Sequence, residues 1–139
     1  MIVFSSLNLV IFILISLIHV YWAFGGAWGI EGVIPKLENK SATLKPPPLA
    51  TLIVAGGLLG FALIHAAALG LISVITSDYL GIGLIIIAII FALRTLGDFK
   101  YVGLFKKKRA GLFAKNDTRY YMPLCVLISL NASMSYYLL

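Results

Sequence analysis

RTLGDFKYVGLFKKKRAGLFAKNDTRYYMPL, residues 94–124, is the stretch on which the reading of the fold turns. It holds eight of the eleven Lys and Arg residues and separates two long apolar runs. A basic, aromatic, glycine-bearing segment between two such runs is the mark of a loop held at the cytoplasmic surface of a membrane. The totals agree. In 139 residues, 61% are hydrophobic and 12% charged, far from the composition of soluble domains. Mean hydropathy is +1.04. The length suits one domain. The net charge of +6 does not point to nucleic acid, because no soluble binding module remains once the apolar runs are set aside. One cysteine, Cys125, excludes an intramolecular disulfide and a multi-cysteine zinc site.

Outward from that loop, the expected fold is all-α, an integral membrane bundle of four transmembrane helices forming a single membrane domain. The spans fall at about 2–24, 49–76, 80–96 and 121–139, with loops 25–48 and 97–120 between them. No Lys or Arg precedes the first run, so it lacks the positive leader of a secretory signal and reads as a retained span. Along it, Ser5, Asn8, Phe12, Ser16, His19 and Ala23 recur at spacings of three and four, which is one helical face. Polar groups facing lipid are costly, so this face is expected to point into the bundle. In the second run, Gly56 and Gly60 and the alanines 66–68 with Gly70 read as small residues for close intramolecular helix packing, in preference to homodimerisation. Gly81, Ile85, Ala88, Ala92 and Thr95 form a face of the third run that would pack on the second as a tight hairpin, and Gly97 reads as its C-terminal cap.

Orientation follows from charge. With four spans, loops 25–48 and 97–120 share one side, and all eleven positive residues lie in or beside them. The positive-inside rule makes that side cytoplasmic and sends both termini outward, in the cell (inner) membrane. The cluster Lys106, Lys107, Lys108 and Arg109 is expected on anionic lipid headgroups.

The chemistry is less legible. His19 lies roughly 9 Å from the middle of its span toward the cytoplasm, and Arg94 at a similar depth. Intramembrane ionisable residues are candidates for function. His19, Trp22, Arg94, Asp98 and Tyr121 therefore outline a candidate pocket opening to the cytoplasm. The structural alternatives are that His19 bonds a neighbouring helix and that Arg94 snorkels to the phosphate level. Asp98 is four positions after Arg94, within ion-pair reach if the helix passes through Gly97. Asp117 reads as a solvated counter-charge for the basic loop. His65, flanked by alanine, reads as a packing histidine. Its level differs from that of His19 by roughly 13 Å along the membrane normal, which argues against haem ligation by the pair. No cofactor and no metal site is indicated by ligand spacing.

Three blocks of residues carry a resemblance. They are His19-Val-Tyr-Trp22-Ala-Phe-Gly25-Gly26 with Trp28-Gly29 and Pro35; Arg94-x-x-Gly97-Asp98-Phe99-Lys100-Tyr101-x-Gly103-x-Phe105-Lys106; and Phe113-Ala-x-x-Asp117-x-x-x-Tyr121-x-Pro123-Leu124-Cys125. Together they resemble the bacterial family of domain of unknown function 3995, over almost the whole chain. The resemblance implies a small four-helix membrane protein and no assigned reaction.

Three classes of function are compatible with these readings. The first is a non-catalytic accessory or interaction component of a larger membrane complex. The second is a binding protein or enzyme acting on an amphipathic molecule, such as a lipid or quinone, in the cytoplasm-facing pocket. The third is a transporter or channel formed by an oligomer, whose water path would reach Asn8 or Asn131. The sequence leaves open whether the chain is an enzyme.

Overall fold

The computed structural model of the chain describes residues 1–33, 46–73, 75–97 and 112–139. Every regular element among them is helical. They are α1 (Ile2–Ala23), α2 (Ile30–Val33), α3 (Pro48–Ala68), α4 (Ser77–Leu96), α5 (Leu112–Asn116), a π-helical turn (Asp117–Tyr121) and α6 (Met122–Tyr137). Ile2–Ala23, Pro48–Ala68 and Tyr79–Leu96 are long and apolar enough to cross a membrane, the signature of a membrane protein.

The periodic face of α1 is buried as its spacing requires. Ser5, Asn8, Phe12 and Ser16 lie inside, whereas Leu7, Val10, Leu14 and Leu17 are exposed. α3 runs antiparallel against this face and buries Thr51, Ala55, Leu58, Ala62, His65 and Ala66, again at steps of three and four. A hydrogen bond from Ser16 Oγ to the Ala55 carbonyl, 2.8 Å, fixes their register. Phe12, Leu58, Ala62, Ile87, Ala88, Ile128 and Ala132 form the apolar core, with one or more residues from each of the four long helices.

α4 makes its main contact with α6, not with α3 as the expected hairpin would have it. Ser129 Oγ donates to the Ala88 carbonyl at 2.8 Å, and a side chain at buried Gly81 would meet the Tyr136 ring. Two helix pairs, α1 with α3 and α4 with α6, thus pack against each other across the core.

Where α3 ends also departs from the sequence reading. The apolar run continues to Thr76, but the helix stops at Ala68. Gly70 has a φ of 73°, and its N–H reaches the Ala67 carbonyl while the Leu71 N–H reaches that of Ala66. This is the Schellman closure, for which glycine is suited because it lacks the Cβ that penalises positive φ. Hydropathy does not register such a stop. Gly97, with a φ of 86°, ends α4 as expected. The last helix begins earlier than Tyr121, because nothing between Leu112 and Tyr121 breaks helical geometry.

Gly56, Gly57 and Gly60 do not mediate helix packing among the described residues, where a Cβ built on any of them meets nothing within 4 Å. They lie on the face of α3 turned away from α1. Replacing Gly70 by alanine should therefore lower stability by about 1–2 kcal/mol, the cost of a left-handed non-glycine residue. Gly56→Ala should leave stability unchanged or raise it by up to ~1 kcal/mol, since helical glycine is entropically unfavourable. Unfolding midpoints in an SDS titration followed by circular dichroism would separate the two.

Candidate functional site

Pro123 shapes the site. Within a helix it has no N–H to donate, and its ring crowds the carbonyl four residues earlier, Arg119. The preceding turn widens to accommodate it. The backbone keeps helical dihedrals at Asn116 (φ −67°, ψ −38°) and Tyr121 (φ −76°, ψ −42°), while the Met122 N–H bonds back to the Asp117 carbonyl. Such π-bulges are rare and occur often at functional sites. Across the widened turn the inward stripe continues in steps of four, from Phe113 through Asp117 and Tyr121 to Cys125.

Asp117 is consequently buried completely, not solvated as its place beside a basic loop implied. Arg94, in the last turn of α4, donates from Nη2 to Asp117 Oδ1 at 3.1 Å. The arginine side chain keeps 34% of its exposure and the carboxylate none. A carboxylate buried in this way needs a compensating charge. Arg94 Nη1 is also buried and has no hydrogen-bond partner among the described residues. α4 ends before Gly97, and the partner of Arg94 comes from the last helix, 23 residues along the chain. Asp98, and the Lys106–Lys107–Lys108–Arg109 cluster, lie outside the described residues.

Tyr121 sits one π turn beyond Asp117. Its hydroxyl donates to the Gly32 carbonyl at 3.1 Å, and Asn116 Nδ2 donates to the same oxygen at 3.4 Å. A Cβ at Gly32 would fall 2.7 Å from Asn116 Nδ2, so a side chain there would displace the Asn116 amide. The described parts of the two loop regions therefore meet at one end of the bundle.

His19 and Trp22 close the end of α1. His19 Nδ1 donates to the Ile15 carbonyl one turn back at 2.8 Å, and its ring meets Trp22 edge-on with centroids 5.1 Å apart. Trp22 Nε1 donates to the Trp28 carbonyl at 2.9 Å across a turn opened by Gly25 and Gly29, both with positive φ. Among the described residues no hydrogen bond or ring contact joins His19 or Trp22 to Arg94 or Tyr121. The five sequence-selected positions thus resolve into a His19–Trp22 knot, the Arg94 ion pair, the Tyr121 clasp and the undescribed Asp98.

A second buried polar group lies toward the other end of the bundle. Ser5 Oγ donates to Ser135 Oγ at 2.9 Å. Asn131 Nδ2 donates to Asn8 Oδ1 at 3.1 Å, and Asn8 Nδ2 lies 3.0 Å from the Ile128 carbonyl and 3.2 Å from His65 Nε2. His65 is wholly buried in this network, three residues from the end of α3. Its place there was hidden in the sequence by its alanine neighbours, although the polar stripe of α1 pointed to the Asn8 it joins.

The model of the family described as Protein of unknown function (DUF3995) matches residues 12–132. No curated protein and no solved structure matches the chain.

Removing the carboxylate charge by Asp117→Asn should cost roughly 1.5–3 kcal/mol, the range for hydrogen bonds to charged groups. The double substitution Arg94→Met with Asp117→Leu should recover much of that loss, because neither charge is then left buried alone. A double-mutant cycle by SDS titration measures the coupling, and additive effects would deny the ion pair a structural role.

Proposed function

The chain belongs to the DUF3995 family, and from that premise we propose that it is a four-span protein of the cell membrane serving as a non-catalytic accessory or interaction component of a larger membrane complex. For the fourth span, α6 alone has 16 residues. It continues backward through the π turn into α5, and a helix of about 20 residues matches a hydrocarbon core of ~30 Å. The docking of α2 on α5 supports placing both basic loops at one end, and the positive-inside rule assigns that end to the cytoplasm, with both termini outside.

One observation carries the accessory reading. His19 Nδ1, Trp22 Nε1 and the Tyr121 hydroxyl each donate to a backbone carbonyl of the chain itself. Bonds of this kind fix helix ends and loops, which is what a structural component requires of them. Around them the outer faces carry large apolar side chains, such as Ile53, Leu63, Ile89 and Leu130, suited to lipid or to apolar helices of a partner.

A second reading rests on Arg94 Nη1, buried and without a partner among the described residues. It would donate to the polar group of an amphipathic molecule, a lipid or quinone, in a pocket edged by Arg94 and Tyr121 and opening to the cytoplasm. Native mass spectrometry after extraction in mild detergent distinguishes the two. The accessory role predicts a stoichiometric protein partner retained in His19→Ala. A bound amphiphile that disappears in Arg94→Ala, with no protein partner, would replace it by the pocket.

Orientation has its own check. Lys107 should react with a membrane-impermeant amine reagent after the cells are opened and be protected while they are intact. Labelling of intact cells would reverse the topology.

A further inference from the structure

The network around Asn8 contains a second unpartnered nitrogen, and its protonation state follows from geometry. Asn8 Nδ2 lies 3.0 Å from the Ile128 carbonyl, which accepts and cannot donate. Turning the Asn8 amide over would set its Oδ1 against that oxygen. It would also face its Nδ2 with Asn131 Nδ2, which now donates to Asn8 Oδ1 at 3.1 Å. The amide therefore keeps its two N–H bonds toward Ile128 and His65. His65 Nε2, at 3.2 Å, must accept from it. The imidazole is then neutral with its proton on Nδ1. That Nδ1 is buried and has no hydrogen-bond partner among the described residues.

An N–H buried without an acceptor is unfavourable, more so inside a bundle whose surroundings offer no water. What it would accept as a partner is limited by its neighbours. Phe12 lies against the imidazole at 5.8 Å between centroids, and Phe61 and Phe91 pack on Phe12 at 5.5 and 5.4 Å. The buried polar side chains that α1 and α6 contribute to this network, Ser5, Asn8, Asn131 and Ser135, are all uncharged. An anionic ligand would have no counter-charge among them, and a metal ion would find no free lone pair on the ring.

We propose that His65 Nδ1–H is the donor of a binding site, inside the bundle, for a single neutral oxygen acceptor. That chemistry is offered by a water molecule or by the carbonyl or hydroxyl oxygen of an uncharged amphiphile drawn from the bilayer. The site is independent of the accessory role and of the Arg94 pocket.

The experiment is nitrogen-15 NMR of the full chain, labelled at histidine, in phosphatidylcholine nanodiscs, with the His65 signals assigned by their loss in His65→Leu. The expected result is a protonated Nδ1 and a bare Nε2, with magnetisation transfer from the Nδ1 proton to protons outside the protein. Transfer to the water resonance identifies water as the acceptor. Transfer to aliphatic protons of a non-protein molecule, seen also as an added mass in native mass spectrometry, identifies an amphiphile. Asn8→Leu removes the group that pins the ring and should bring in the tautomer protonated at Nε2. A wild-type ring protonated at Nε2 or at both nitrogens would overturn the proposal, as would an Nδ1 proton that meets protein protons alone. The wild-type measurement stands whether or not either variant folds.

Discussion

Three helices meet at the carboxamide of Asn8. It bonds to Asn131 and the Ile128 carbonyl on α6 and to His65 on α3, using both of its donor hydrogens and its oxygen. In an apolar surround a polar group left without a partner is costly, because bulk solvent is not there to compensate it. A rotation of α1 by one residue would break these bonds together and turn Ser5 and Ser16 toward lipid. The bundle's register is therefore set by polar matching as much as by the fit of Phe12 into the apolar core.

The same constraint operates differently at the loop end. There the polar groups are charged, and the geometry that pairs them comes from a local defect. Pro123 forces the turn before it to widen, and the widened turn keeps Asp117 on the inward stripe, where Arg94 reaches it from α4. Tyr121, one turn on, fastens α2 through the Gly32 carbonyl. The widened turn before Pro123 thus carries both Asp117 of the ion pair and Tyr121 of the clasp that gathers the loops.

Several sequence readings rested on patterns with one physical meaning. The stripe Ser5, Asn8, Phe12, Ser16 is such a case, since polar residues at helical spacing within an apolar run have one low-energy direction to face. Gly97 is another. Other patterns had two meanings. The alanines before Gly70 were compatible with close packing and with a helix end, and the backbone bonds of Leu71 and Gly70 select the end. Gly56 and Gly60 have the spacing of a packing motif but lie on an open face, because α1 approaches from the side of Ala55 and Ala62. Asp117 looked like a surface charge because its neighbours in sequence are polar, whereas its neighbours in space are Arg94 and the buried stripe.

The sequence by itself determined the class of protein and the inward face of α1, because these depend on hydropathy and period alone. Tertiary structure decided which helices pair, that Asp117 meets Arg94, and that His65 belongs to a polar network. Each of those depends on contacts between residues far apart in the chain, and the strength of a buried hydrogen bond or ion pair is set by what surrounds it, which no local pattern encodes.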